Sequence, residues 1–163
     1  MEQTPQHQAM IKLKHTLICF GIVLLAGCSE TPFYNKSLSI PSGSWKQQMR
    51  PTFKVKIDDV DATYDFILTV RTTTNYSYNN LWLYLNTSGP GKITGREPFE
   101  IKIANPDGSW TGEKSGSIVE NRLLFKRRKL PNKGTYTFEL EQGVTMTSLN
   151  DVIDVGLVIE KNK

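Results

Sequence analysis

Alternation of apolar and polar residues at every second position constrains this chain more than any other feature. FKVKID puts Phe53, Val55 and Ile57 on one side and Lys54, Lys56 and Asp58 on the other. That period belongs to a half-buried β-strand, whose side chains point alternately to opposite faces, and not to a helix, whose apolar stripe recurs about every 3.6 residues. The pattern repeats along the chain. YDFILTVR turns Tyr64, Phe66, Leu68 and Val70 inward, FEIKIAN turns Phe99, Ile101 and Ile103, and TYTFELEQ turns Tyr136, Phe138 and Leu140. VIDVGLVIEK presents Ile153, Val155, Leu157 and Ile159, while SIVENRLLFKRR is ambiguous in phase, with Val119, Leu123 and Phe125 its better face. NLWLYLN differs, because Leu81, Leu83 and Leu85 fill one face and Trp82 and Tyr84 the other. A strand apolar on both sides is either central with both faces covered or carries an interaction surface. Polar turns such as DDVDA and NPDGSW separate the runs, and Gly156, inside a strand, reads as a bulge. No window of comparable length has a helical period. The expected fold is all-β: an antiparallel β-sandwich of about seven to eight strands, Ig-like or jelly-roll-like.

Ahead of the strands, Lys12, Lys14 and His15 form a basic region and Leu17 to Leu25 an apolar run of signal-peptide length. The run falls short of the roughly 20 apolar residues that span a membrane. Leu25-Ala26-Gly27-Cys28 resembles the bacterial lipobox. That resemblance implies diacylglycerol on the Cys28 sulfur, cleavage before Cys28 and an N-acyl lipid, such as palmitate, on the new amino terminus. Residues 1–27 are therefore expected to be a lipoprotein signal peptide, with Met10 the true start because residues 1–9 are polar. Residues 28–44, rich in Ser and Pro, are expected to be the lipidated Cys and a flexible tether, and 45–163 the β-sandwich domain.

Removal of the leader takes both histidines, His7 and His15, and Cys19. With Cys28 lipidated, no thiol or imidazole remains, which removes disulfides, Cys or His metal sites, Cys nucleophiles and Ser-His triads. Carboxylate pairs survive by inventory among Asp58, Asp59, Asp61, Asp65, Asp107, Glu113, Glu139 and Glu141, although acids on a solvated surface are ordinary. Asp58-Asp59-Val60-Asp61 lacks the Gly and terminal Glu of a calcium loop. The expectation is a non-enzyme with no catalytic residues, no metal and no cofactor beyond the covalent lipid. Of 20 basic and 16 acidic residues, Lys12, Lys14 and Glu2 leave with the leader, so the remainder is only mildly basic and argues for no nucleic acid.

Two groups of residues stand out as a candidate partner surface. Lys126, Arg127 and Arg128, with Lys129, suit anionic lipid head groups or an acidic partner, or else form a solvated strand end before Pro131. Trp82, Tyr84 and Trp110, with Trp45, Tyr76 and Tyr78, suit a sugar-stacking or partner platform, though alternation favours the core for Trp82 and Trp110. Glycan binding predicts coplanar exposed rings beside polar groups. Scaffolding predicts buried Trp residues and a larger apolar patch.

NLWL at Asn80 to Leu83, DGSWTGEKSG at Asp107 to Gly116, GTYTFELEQ at Gly134 to Gln142 and DVGLVIEK at Asp154 to Lys161 follow in that order behind the lipobox. Their order and the chain size resemble the GldH family of gliding-motility lipoproteins, over about Trp45 to Lys161. Val144-Thr145 departs from the Met-Arg often found there in that family. The resemblance implies a non-enzymatic lipoprotein of the Bacteroidetes cell envelope, serving as a structural or scaffolding part of the machinery for gliding and type IX secretion. Its implied partners are the membrane, through the lipid, and other envelope lipoproteins or motility and secretion proteins. A single acid, Glu30, follows Cys28, which favours an outer-membrane anchor facing the periplasm over surface export. The alternative is a glycan-binding lipoprotein of a polysaccharide-uptake system.

Overall fold

The computed structural model describes residues 31–162, so the leader, the lipobox and Cys28 lie outside the described residues. Every stretch that alternates in the sequence is a strand. They are β3 (Thr52–Ile57), β4 (Thr63–Thr73), β5 (Asn80–Gly89), β6 (Ile93–Lys102), β8 (Ile118–Arg128), β9 (Gly134–Gln142) and β11 (Val152–Asn162). Four shorter strands join them: β1 (Tyr34–Ser39), β2 (Ser44–Lys46), β7 (Glu113–Ser115) and β10 (Ser148–Asn150).

All pairings are antiparallel. One sheet runs β1-β11-β4-β8-β7, a second β3-β9-β5-β6, and β2 pairs with β10 in a small ribbon. The two large sheets meet face to face. Phe66 of the first packs on Phe138 of the second with ring centroids 5.0 Å apart, and Phe125 on Phe99 at 5.7 Å. Leu68, Val70, Leu81, Leu83, Leu140, Val155 and Leu157 fill the space between them and are buried. At about 25 cal/mol per Å² of apolar surface removed from water, this layer holds the sheets together.

Three sequence expectations change. Residues 34–39 fall in the expected tether but form β1, with Tyr34 opposite Ile159 and Leu38 opposite Val155, both packing on the core. The Ser and Pro around them conceal a short alternation. In β11 the buried residue is Val152 and not Ile153, because the pairing with β4 slips between Val152 and Asp154, just after Asp151 at φ 65°. The slip shifts the phase of the strand start by one residue. Gly156 is not the bulge. A Cβ there would lie 2.3 Å from Thr69 Oγ1 and 2.9 Å from Ser37 Oγ, so the missing side chain makes room for two hydroxyls.

The sandwich has two distinct ends. At the near end β1 and β4 begin, β8 and β11 finish, and the loops 58–62, 90–92 and 129–133 turn. The far end carries the loops 74–79, 103–112 and 143–147.

Candidate interaction surfaces

β5 lies inside its sheet, between β9 and β6, yet only one of its faces is covered. Alternation sends Leu81, Leu83 and Leu85 into the core and Trp82 outward, where it is 46% exposed. The expectation of a core position for Trp82 is thus overturned, because among the described residues no further layer covers that side of the sheet. Next to it, Tyr84 sits between Pro98 on β6 and Glu141 on β9. The Arg96 guanidinium lies 3.5 Å from the centre of the Tyr84 ring and covers one of its faces. Arg96 also reaches Glu141 at 3.4 Å, Arg50 reaches Glu141 at 3.3 Å, and Asn86 Nδ2 donates to Glu141 Oε2 at 3.0 Å. The Asn86 hydrogen bond, aided by the two arginines, holds the Glu141 carboxyl below its ordinary value. Gly143 completes the arrangement: its N–H donates to Trp82 O at 2.7 Å, and a Cβ there would press on Tyr84 Cε2 at 3.1 Å. Period two places Arg96 and Glu141 on outward positions, but only the register shows that they meet around Tyr84.

The other aromatics do not join this face. Trp45 is fully buried and donates to Met49 O at 3.0 Å. Trp110, on the 103–112 loop, is half-buried against the core and bridges Ala104. Tyr76 is buried, and exposed Tyr78 packs on it edge-on at 5.7 Å while its hydroxyl reaches Met146 Sδ at 3.0 Å.

The basic tract forms a second surface, at the near end. Lys126, Arg127 and Lys129 are exposed, whereas half-buried Arg128 forms an ion pair with Glu97. Arg127 takes φ 52°, and its N–H donates to Asp65 Oδ1 at 2.7 Å, which keeps the Asp65 carboxyl below its usual range. Arg128 and Lys129 border an apolar cleft of about 280 Å³ between the sheets, walled by Phe66, Ile93, Phe125 and Tyr136. Trp82, Trp110 and the basic tract therefore occupy separate places.

Several of the candidate carboxylates are committed to structural contacts. Glu139 and Glu141 share Arg50 on an open sheet face. Asp59 caps its turn, accepting from Asp61 N at 3.0 Å and Ala62 N at 3.3 Å, and pairs with Lys161 at 2.7 Å. Among the described residues, no group of three Asp, Glu, His or Cys side chains is placed to hold a metal ion.

The GldH lipoprotein family model matches residues 32–159, nearly the whole sandwich. This chain belongs to the GldH lipoprotein family. It is 27% identical to gliding motility lipoprotein GldH of Flavobacterium johnsoniae, over 89% of this chain and 94% of that protein. It is also 27% identical to the GldH homolog of Christiangramia forsetii, over 90% of this chain and 94% of that one. Among solved structures, the g-type lysozyme inhibitor PliG of Aeromonas hydrophila aligns over 82% of this chain and 90% of its own, with a TM-score of 0.36 and 14% identity. The GldH match begins at residue 32, ahead of β1, so the family segment includes the strand that composition hides.

Proposed function

We propose that this chain is a non-enzymatic gliding-motility lipoprotein, acting as a structural or scaffolding component of the envelope machinery associated with gliding and type IX secretion. A lipid on Cys28 anchors it in the outer membrane, with the domain facing the periplasm. The names of its two relatives support the motility assignment. The observation that carries the scaffolding role is the Arg96 guanidinium that covers one face of Tyr84 on the open side of the sheet. Trp, Tyr and Arg clustered on a rigid sheet are the residue types that dominate protein–protein contacts. A sugar platform needs open ring faces, and Arg96 closes one face of Tyr84.

The exposed Trp82 does depart from the buried tryptophans that scaffolding predicts, and it supplies the one point in favour of glycan binding. The experiment treats both. In-cell crosslinking of the tagged protein, compared with Trp82→Ala and Cys28→Ser, should recover motility or secretion proteins with the native chain and lose them with either variant. Retained recovery with Trp82→Ala, together with glycan-array binding that Trp82→Ala abolishes, would overturn the scaffold reading in favour of polysaccharide uptake.

A further inference from the structure

We infer that the near end of the sandwich docks on the anionic head groups of the membrane that holds the Cys28 lipid. The inference rests on the anchoring proposed above. Its first support is where the chain joins the fold. Because β1 starts at Tyr34, only the links from Cys28 to Phe33 separate a lipidated cysteine from the domain. Fully extended at about 3.4 Å per residue, the chain from Cys28 to Tyr34 reaches about 20 Å, far less than a 16-residue tether would. β1 also begins at the near end, so the near end is the part held at the bilayer. The far end stands about 36 Å from it, the length of an 11-residue strand such as β4 at about 3.3 Å per residue.

Charge supplies the second support. Lys126, Arg127 and Lys129 close β8, and Lys92 and Lys133 sit on the two neighbouring near-end loops, which are joined by Asn132 Nδ2 donating to Pro90 O at 3.0 Å. None of these five cations has an ion-pair partner among the described residues, whereas Lys56, Arg128 and Lys161 at the same end are paired with Asp58, Glu97 and Asp59. β8 lies three strands from β1 in the same sheet, about 14 Å at about 4.8 Å per strand. An anionic surface that holds β1 within about 20 Å therefore also faces the free cations, which it attracts strongly once they come within the screening length of about 8 Å at physiological strength. Docking in this way turns the Trp82 face sideways to the bilayer and leaves it open to protein partners.

Mature, lipidated protein reconstituted in vesicles tests the inference, because with Cys28 acylated an introduced cysteine is the sole thiol. A fluorophore on Thr135→Cys, exposed at the near end, is compared with one on Asn75→Cys, exposed at the far end, using quenching by nitroxide-headgroup lipid. With about 30% phosphatidylglycerol in phosphatidylcholine, quenching should be several-fold stronger at 135 than at 75. The ratio should fall in pure phosphatidylcholine, in about 0.5 M salt, and in the Lys126→Glu/Arg127→Glu/Lys129→Glu variant. The change of lipid needs no substitution, so it decides the matter even if the triple variant folds poorly. Equal quenching at both positions, or a ratio indifferent to phosphatidylglycerol, overturns the docking while leaving the anchor intact. Mass spectrometry that finds Cys28 unacylated overturns both.

Discussion

Leu83 and Trp82 are neighbours in sequence on opposite sides of one sheet, and they should respond to truncation in opposite ways. Leu83→Ala removes a fully buried side chain and is expected to cost about 2–5 kcal/mol by chemical denaturation, whereas Trp82→Ala, half exposed, should stay within about 1 kcal/mol. A reversed order would mean that the face carrying Trp82 is covered. The Arg71–Asp154 pair is a polar counterpart on the outer side of the other sheet. Asp154 is 3% exposed and accepts twice from Arg71 Nε, at 2.9 and 3.0 Å. Arg71→Ala strands a buried carboxylate, and because the arginine side chain is itself 40% exposed the expected loss is about 2 kcal/mol rather than the larger value of a wholly buried pair. Glu141 sets a pH dependence. Its carboxyl is held below the ordinary 4.5, so its stabilising contacts are fully present above that pH and fade as pH falls through the lowered value. Unfolding midpoints measured from about pH 6 down to about pH 2, across the carboxylate range of about 4, should therefore fall less in Glu141→Gln than in the native chain.

At the scale of elements, β1 separates a tether from a strand. Deleting residues 34–39 uncovers the edge of β11, where Val155, Leu157 and Ile159 are buried, and should lower the thermal midpoint sharply or cause aggregation. Deleting 29–32 should change the midpoint little, and equal, small effects would return 34–39 to the tether. Gly156→Ala tests the β1–β11–β4 seam from inside, with an expected cost of about 1–3 kcal/mol by urea titration, since the new methyl meets Thr69 and Ser37. The long strands were legible because each carries three or more alternations, and the sandwich followed from their number. β1 was not, since Lys36 interrupts its apolar face between Tyr34 and Leu38. The phase of β11 was hidden by a slip that depends on its partner strand. The surface around Tyr84 was half legible: its residues alternate outward, but their meeting depends on which strands pair.

Apart from the local hairpins β5–β6 and β7–β8, the described sheets are built from distant pairings. β3 joins β9, β4 joins β8, and β1 joins β11, so few contacts form before long segments of chain are closed into loops. Such topologies fold in milliseconds to seconds, and refolding followed by the fluorescence of fully buried Trp45 in a Trp82→Phe/Trp110→Phe background should fall in that range. A microsecond phase carrying the full amplitude would contradict it. The pairing of β1 with β11 has a further meaning for a chain that is synthesised from its N-terminus. The strand that emerges first waits for the strand that emerges last, and until then the larger sheet lacks the member that joins β1 to β4. The order of the strands thus acts as a built-in delay: the larger sheet can be completed only when the whole chain is present.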